Sequence, residues 1–417
     1  MCFICSQAAG FESDIETIIK INETPKLEVK QNQFSIPSTP ITASNQNKYT
    51  FNIVGLDETS PLYDGIYLNS TKGLEYISSK FKWKGTIDFV VKYEENPPAT
   101  WNATDPKNVR TDRGFGGYGN TNEALYEVTT GIDNYTGITG WNDTLYQLDY
   151  DIGSFIFPSP DSSSKLYNYT KDVFIDPNPI AELDSAVPSN THDYFSIFLH
   201  EVGHGMGVNP SNTTFTNLIQ EINGTDYFTG EATTSLYGGY LETKDNKTHF
   251  SYEEKNGEVF DLMGTTKGFS LYEKNRFTIT KLDQAVYGDL GFGIILNGDN
   301  TDEYYIGGLG DDIINTFGGN DVIKGRNSDD VIDGGAGSDT AIYLGKYSNY
   351  SFTRDTNSLI VSDQRTTETT DGVDTLTNIE YIQFTDQTVE ESKVDVVKTY
   401  SGNFSDYKFY NKGNGVY

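Results

Sequence analysis

One pentapeptide of this sequence has residue types and a spacing that suit metal chemistry. It is His200-Glu201-Val202-Gly203-His204, which follows the pattern H-E-x-x-H. Residues four apart lie on the same face of a helix, so the two imidazoles can bind one metal ion. Glu201 lies beside them, outside the coordination shell, where its carboxylate can accept a proton from a metal-bound water. The motif therefore predicts a zinc site that activates water.

A catalytic zinc ion is expected to have three protein ligands, so a third ligand must be found. The chain has four histidines, and the two outside the motif are His192 and His249. His192 lies at the start of the predicted helix, about three turns before His204, and we interpret it as a cap-region residue. His249 lies beyond the helix, in the segment Lys247-Thr248-His249-Phe250.

The extended pattern His200-Glu201-x-x-His204-x-x-Gly207 resembles that of the metzincin zinc proteases. In that family the glycine lets the chain leave the helix, so the resemblance makes Gly207 the helix-exit glycine. The usual third ligand follows three residues later, where this sequence has Pro210, which has no ligating side chain. Either the site is broken or the third ligand comes from another segment.

Leishmanolysin-type metzincins have an insertion before the third histidine, which lies in a G-x-H-aromatic segment. The segment around His249 resembles it, with Lys247 in the place of the glycine. The resemblance implies that His249 is the third zinc ligand. It also makes Met263 the Met-turn residue, an apolar floor beneath the metal and not a ligand. Serralysins, a related branch, have a tyrosine ligand two residues after this methionine, and Thr265 occupies that position here.

Glycines recur at a fixed spacing from residue 298 onwards. Residues 307–315 fit the nonapeptide G-G-x-G-x-D-x-U-x, three more units follow, and a degenerate unit precedes them. Stacked units of this kind form a parallel β-roll whose turn carboxylates meet around calcium. A flexible Gly/Asp-rich linker is the alternative, but a linker has no reason to keep Asp and Ile in register. The predicted calcium residues are Asp312, Asp321, Asp330, Asp339, Gly308 and Gly310.

The second half of the chain resembles serralysins and other proteins of the repeats-in-toxin class. Those proteins join a metzincin domain to a nonapeptide β-roll. They leave Gram-negative cells through a type I secretion apparatus, guided by an uncleaved C-terminal signal. The N-terminus here has no basic segment and too short an apolar run for a cleaved signal peptide. The resemblance therefore implies type I export to the cell exterior or the cell surface.

A longer repeat lies beyond the nonapeptides. Residues 343–352 reappear with substitutions as residues 400–409, and the first copy continues to residue 386. The sequence ends before the second copy could continue. This predicts that the chain is a fragment of a longer protein.

The composition limits the classes of partner. The chain has 30 Lys and Arg residues against 60 Asp and Glu residues, a formal net charge of −30. Such acidity disfavours nucleic acid and anionic membrane surfaces and favours cations. No apolar run is long enough for a membrane-spanning helix, and we expect a monomer. The two cysteines, Cys2 and Cys5, either bind the zinc ion as inhibitory thiolates or belong to an unstructured N-terminus.

Several elements must position these residues. Apolar patterning predicts strands at 86–91, 152–157 and 172–175, then a helix over the H-E-x-x-H motif with Asn190 or Thr191 as its cap. Residues 279–292 resemble the metzincin closing helix under the site. By the same resemblance, the second strand is the sheet edge that binds an extended substrate: Ile152, Gly153, Ser154, Phe155, Ile156 and Phe157.

The expected fold class is an α+β metzincin domain followed by a parallel calcium β-roll and a small β-rich module. The metzincin domain would contain a mixed twisted sheet, an active-site helix and a C-terminal helix. The expected function is a secreted zinc endopeptidase that uses one zinc ion, several calcium ions and Glu201 as general base. The alternative is a calcium-binding surface or adhesin-type protein with a degenerate protease domain. The predicted divisions are an inhibitory or disordered segment 1–45, protease domain 46–293, roll 294–342, module 343–395 and second copy 396–417.

Overall fold

The computed structural model describes the chain in separate stretches. They are residues 41–42, 47–54, 56–60, 62–93, 130, 152–156, 173–182, 187–188, 192–208, 210, 212–244, 247, 249–251, 264–265, 276–355, 357–366 and 369–394. The helices in these stretches are α1 (Tyr63–Lys80), α2 (Tyr194–Gly205), α3 (Thr213–Asn217), α4 (Glu231–Tyr237) and α5 (Lys281–Leu290). Within the same stretches, no helix is both long enough and apolar enough to cross a membrane.

The first sheet has the strand order β1-β2-β4-β5. Its strands are β1 (Ile41–Thr42), β2 (Lys48–Val54), β4 (Thr86–Tyr93) and β5 (Ile152–Ile156), while β3 (Phe81–Lys82) joins another sheet. Strands β2, β4 and β5 are parallel, and β1 is antiparallel to β2. Helix α1 follows β2 and buries Ile66, Leu74 and Ile77, which recur on one face of the helix. The strands predicted at 86–91 and 152–157 are therefore present, although Phe157 lies outside the described residues.

Helix α2 begins later than the sequence suggests. Asp193 is its N-cap, because the Asp193 carboxylate accepts a hydrogen bond from the backbone N–H of Ser196 at 3.2 Å. The predicted caps, Asn190 and Thr191, are therefore wrong. The two residues directly before the helix form β7 (His192–Asp193), which pairs in parallel with β6 (Val173–Phe174).

The segment between α2 and the predicted third ligand forms a small sheet of its own. We call residues 212–251 the insertion. The order of the sheet is β12-β11-β10-β9-β8, and its neighbours are antiparallel except for the parallel pair β11 and β12. Helix α4 lies between β9 and β10 and packs on α5. The strands are β8 (Ile219–Ile222), β9 (Thr225–Phe228), β10 (Leu241–Lys244), β11 (His249–Ser251) and β12 (Gly264–Thr265).

Helix α5 lies where the sequence predicts the closing helix. It begins with a capping box, in which Thr280 and Asp283 each accept a hydrogen bond from the other's backbone N–H. It ends at Gly291, whose φ of 118° favours glycine. The chain then passes directly into the first strand of the next sheet.

The nonapeptide units form two parallel stacks of short strands. Each strand pairs with the strand of the unit two further along, so alternate units share a sheet. The apolar repeat positions Ile314, Ile323 and Ile332 are all buried between the sheets. We call residues 294–342 the roll. Its strands are β13 (Gly293–Asn297), β14 (Tyr304–Ile306), β15 (Ile313–Asn315), β16 (Val322–Lys324), β17 (Val331–Asp333) and β18 (Thr340–Ile342).

The module after the roll is built into the same two sheets. Strand β21 pairs in parallel with β17, and β22 pairs in parallel with β18, so both sheets run through the predicted boundary at residue 342. An antiparallel hairpin, β19–β20, extends the sheet that contains β17 beyond β21. The module strands are β19 (Tyr350–Arg354), β20 (Leu359–Asp363), β21 (Val373–Thr377), β22 (Tyr381–Gln383) and β23 (Thr388–Glu390).

One sheet joins the two halves of the molecule. Strand β3, which follows α1, pairs antiparallel with β13, the first strand of the roll stack. The described fold is thus α+β, with several sheets, some of them parallel, and few helices. A single hydrophobic cluster continues from the α2 region into the roll.

Candidate functional site

Three histidine side chains converge in the described part of the chain. One ligand atom from each of His200, His204 and His249 lies within 4.8 Å of the other two, and the three residues could hold a metal ion. Their exposed fractions are 2%, 4% and 2%, so all three side chains are buried. The Nε2 atoms of His249 and His200 are 3.4 Å apart. Two nitrogens about 2.0–2.1 Å from one tetrahedral metal lie about 3.3–3.4 Å apart, so this pair has the spacing of two imidazole ligands of one metal ion.

His204 is oriented by the chain that leaves the helix. Its Nδ1 atom is 2.9 Å from the carbonyl oxygen of Val208. A carbonyl only accepts, so Nδ1 carries the proton and donates it, which leaves Nε2 as the ligand atom. The turn that brings Val208 back passes through Gly207, whose φ is 127°. Gly207 is therefore at the helix exit, in a conformation that favours glycine.

His249 reaches the site on strand β11, at the end of the insertion. This strand pairs with β10 on one side and with β12 on the other, and Phe250 lies opposite Gly264 in the second pair. Lys247, two residues before the histidine, has a φ of 70°. It stands where the resembling family has a glycine, and its backbone takes the left-handed conformation that glycine adopts most easily. Its Nζ atom pairs with Asp226 at 3.3 Å.

A buried arginine holds the start of α2 in place. Arg276 Nε and Nη2 donate to the two carboxylate oxygens of Asp193 at 2.9 Å each, and Nη2 also donates to Asp176 at 2.9 Å. Burial alone would lower the pKa of Arg276, but its hydrogen bonds to Asp193 and Asp176 raise that pKa above its usual value. The next residue, Phe277, donates its N–H to Ser196 Oγ at 2.8 Å. The centre of its ring lies 6.1 Å from that of His200, so this cluster borders the histidine trio.

Several predicted site residues are described only in part or not at all. The backbone of Glu201 lies in α2 directly after His200. Strand β5 lies at one edge of the first sheet among the described residues, opposite the edge formed by β1, and packs against α2. Met263, Cys2 and Cys5 lie outside the described residues. His192 lies in β7, one residue before the helix cap.

The predicted calcium aspartates form two ladders that run along the roll. Each aspartate accepts a hydrogen bond from the backbone N–H of the equivalent residue 18 positions earlier: Asp330 from Asp312, and Asp339 from Asp321, both at 2.8 Å. The module continues both ladders. In the first ladder, Asp330 donates its N–H to Asp374 at 2.9 Å. In the second ladder, Asp339 donates its N–H to Glu380 at 2.8 Å. The repeat therefore extends two rungs beyond the nonapeptides.

The second carboxylate oxygen of several ladder residues lacks a protein partner. The Oδ2 atoms of Asp321, Asp330 and Asp339 are buried and make no hydrogen bond. Burial raises the pKa of Asp330 well above its usual value, and the neighbouring Asp312 and Asp374 raise it further. Buried oxygens of this kind are costly without a counter-ion, so the turns fit a calcium ion, which takes carboxylate and backbone carbonyl oxygens.

Gly308 and Gly310 are required by close packing. A Cβ atom at Gly308 would lie 2.4 Å from the carbonyl oxygen of Phe292, and one at Gly310 would lie 2.5 Å from the nitrogen of Gly293. The backbone N–H of Gly308 donates to Asp312 at 2.7 Å. These two glycines therefore seat the first turn of the roll on the chain that leaves α5.

Comparisons with known proteins add little to this geometry. No protein-family model and no curated protein matches the chain. The solved structures include a match to the extracellular lipase LipA from Serratia marcescens, at 20% sequence identity and a TM-score of 0.19. That match covers 22% of this chain and 14% of the lipase chain. No conclusion on fold or function follows from a TM-score of this size.

Three features of the structure were not predicted from the sequence. Arg276 was not predicted, because a buried ion pair leaves no pattern in the sequence, although its partner Asp193 could have been recognised as a strong N-cap type directly before the first aromatic residue of the helix. The ladder roles of Asp374 and Glu380 were missed because the nonapeptide spacing is broken by the β19–β20 hairpin. The contacts of Arg326 with the insertion were missed because only the fold brings these segments together.

Proposed function

We propose that this protein is a secreted zinc endopeptidase of the metzincin type, with a calcium-binding roll. The observation that carries the proposal is the convergence of His200, His204 and His249, whose ligand atoms lie within 4.8 Å of one another. Two of these residues belong to the H-E-x-x-H motif, and the third comes from the segment that resembles the leishmanolysin-type ligand. A zinc ion held there would polarise a carbonyl group and lower the pKa of a bound water to about 7.

The chain's own residues supply the remaining steps. Three imidazoles leave a fourth position open for water and substrate. The carboxylate of Glu201 accepts the proton of the attacking water and passes it to the leaving amine. Strand β5 binds an extended peptide by backbone hydrogen bonds, as exposed sheet edges do in other proteins. Its position at one edge of the sheet among the described residues, packed against α2, supports this role.

Calcium binding by the roll is the second part of the proposal. The buried, unpartnered oxygens of Asp321, Asp330 and Asp339 support it. Calcium sites of this kind would also use backbone carbonyls of the turns, because calcium takes six to eight oxygen ligands. Export by a type I apparatus is proposed from the repeats-in-toxin pattern of the sequence.

The decisive experiment measures zinc content and proteolysis together. Glu201→Gln should keep about one zinc ion per chain and lose cleavage of casein or gelatin, because the general base is removed and the ligands remain. His249→Ala should lose zinc, whereas His192→Ala, which changes the one histidine outside the trio, should keep it. As a control, Glu221→Gln, on the exposed β8 strand of the insertion, should leave both properties unchanged.

The same experiment separates the two candidate functions. A chain that binds calcium but neither zinc nor substrate would favour the surface or adhesin-type protein with a degenerate protease domain. Pro210, in the place of the usual metzincin ligand, is the observation in favour of that alternative. Full proteolysis by Glu201→Gln would contradict the assignment of the general base.

A further inference from the structure

Arg326 occupies a position of the roll where the repeat calls for glycine. In the nonapeptide pattern it takes the place of the second glycine, and its φ is 82°. The equivalent residue of the last unit is Gly335, with a φ of 78°. An arginine is strained in this left-handed conformation, because its Cβ crowds the backbone. Strain of this kind persists where the side chain makes compensating contacts, so the contacts of Arg326 are informative.

The side chain of Arg326 reaches from the roll to α4 and α5. Its Nη1 atom donates to Asp289 Oδ1 of α5 at 2.8 Å, and its Nε atom lies 3.5 Å from Glu231 of α4. Only 9% of the Arg326 side chain and 1% of the Asp289 side chain are exposed, so water screens the first pair weakly. Lys324, on the same side of the roll, also pairs with Glu231.

Asp289 connects Arg326 to the insertion. Its carboxylate accepts hydrogen bonds from the backbone N–H groups of Ala232 at 3.1 Å and Thr233 at 2.9 Å, the first turn of α4. The hydroxyl of Thr233 also donates to it, at 2.8 Å. Gly230 lets the two segments meet, because a Cβ atom there would lie 2.2 Å from Asp289 Oδ2. Asp289 thus caps α4 from another helix and holds Arg326 at the same time.

Helix α4 leads directly to the third histidine. It is followed by β10, and β10 pairs with β11 so that Lys244 lies opposite His249. A shift of α4 relative to α5 therefore moves the base of the hairpin that carries His249. The other two ligands lie on α2 and do not share this support.

The turn that carries Arg326 ends at one of the ladder aspartates. Asp330 closes that turn, and its Oδ2 atom is buried and unpartnered. A cation bound there would fix the turn and neutralise carboxylates that otherwise attract the guanidinium. Both effects favour the contact of Arg326 with Asp289.

We propose that the Arg326–Asp289 pair, which we call the clasp, makes the metal affinity of the histidine trio depend on cation binding by the roll. This inference rests on the proposed function, since it needs both metal sites. Calcium bound in the roll stabilises the contact of Arg326 with Asp289. Asp289 in turn stabilises the position of α4, and through it the position of His249. By linkage, zinc at the histidines raises the calcium affinity of the roll by the same factor.

The test measures zinc affinity of the full chain with a competing zinc indicator, in metal-free buffer with and without saturating calcium chloride. Wild-type protein should bind zinc about fivefold or more tightly with calcium, the lower end of typical coupling. Arg326→Gly restores the residue that the repeat calls for, so the roll should still bind calcium. In this variant the calcium effect on zinc affinity should disappear, and α4 amides should exchange hydrogen faster in the calcium-bound state.

A matched control lies two residues away on the same turn. Ser328 also stands at a glycine position of the repeat, with a φ of 75°. Ser328→Gly relieves the same backbone strain without touching the clasp, so it should keep the calcium effect. An Arg326→Gly chain that binds calcium and keeps the full calcium effect on zinc affinity would overturn the clasp. A wild-type chain that binds no zinc in either state would instead overturn the proposed function.

Discussion

At the scale of single residues, the orientation of His204 depends on one turn of backbone. The Val208 carbonyl that fixes the tautomer of His204 is brought into place by Gly207, whose φ of 127° strains any residue with a side chain. A Cβ atom at Gly207 would also lie 3.1 Å from both Asn212 and Leu290. The glycine therefore acts on the metal centre through the partner of one ligand, and second partners of this kind tune metal affinity strongly.

Gly207→Ala should weaken zinc binding by about 10–100-fold, the usual effect of losing a ligand's second partner. It should also lower the free energy of unfolding by roughly 1–3 kcal/mol, because alanine is strained at this φ. The control is Gly224→Ala, whose φ is 80° and whose Cβ atom would meet nothing within 4 Å. It carries a similar strain in the turn between β8 and β9. Equal zinc affinities of the two variants in an indicator competition assay would contradict this role for Gly207.

At the scale of elements, a buried charge cluster joins three segments that the sequence keeps far apart. Arg276 lies just before α5, Asp193 caps α2, and Asp176 follows β6. The helix itself was predictable, because Tyr194, Phe198 and Val202 follow a helical period. Its cap was placed too early, and the arginine was not foreseen, because a buried ion pair leaves no periodic pattern in the sequence. The strands β4 and β5 were foreseen because each is a compact apolar run between polar or Pro-rich segments.

Arg276→Met should destabilise the chain by about 3–5 kcal/mol, because it leaves the carboxylates of Asp193 and Asp176 buried without a counter-charge. The matched control is Arg354→Met in the module, at the end of β19. Arg354 pairs with Glu391 and its side chain is 36% exposed, so its loss should cost about 0–1 kcal/mol. Urea unfolding followed by tryptophan fluorescence and circular dichroism measures both values. A similar, small effect of the two substitutions would show that the buried cluster does not hold α2.

At the scale of the whole molecule, the roll and the α2 region are joined by a shared sheet and a helix contact. Strand β3 extends a roll sheet, and the first turn of the roll packs on α5, where Leu309 donates its N–H to the carbonyl of Gly288 at 2.9 Å. The repeat spacing predicted the parallel stack and its inward isoleucines. It did not predict the join to β3 or the continuation into the module, because both depend on pairing between distant segments with no shared motif. A change in the stability of the roll should therefore change the free energy of unfolding of the rest of the fold as well.

The carboxyl ladders give that stability a characteristic pH dependence. Burial raises the pKa of Asp312, Asp330 and Asp374 well above the usual value. A carboxyl group whose pKa is higher in the folded than in the unfolded chain favours folding below its unfolded value, near 4. That contribution is lost as the pH rises through the raised, folded pKa. Groups with a lowered pKa, such as Asp363, act in the opposite direction, so a difference between variants is needed to isolate the ladder.

Asp330→Asn provides that difference. The amide oxygen of the asparagine can still accept the hydrogen bond from the Asp312 N–H, while the buried charge is removed. Without calcium, the variant should gain stability over wild type as the pH rises from about 4 to 7, since only wild type must ionise this carboxyl. With saturating calcium the order should reverse, because the cation stabilises the ionised ladder and the variant has lost a ligand oxygen. Asp355→Asn is the control: Asp355 is exposed, and a hydrogen bond from the Asn357 backbone lowers its pKa, so neutralising it should give no such gain. Urea unfolding at several pH values, in metal-free and calcium buffers, measures each difference. A variant that loses stability relative to wild type as the pH rises without calcium would mean that the Asp330 carboxylate is already compensated within the protein.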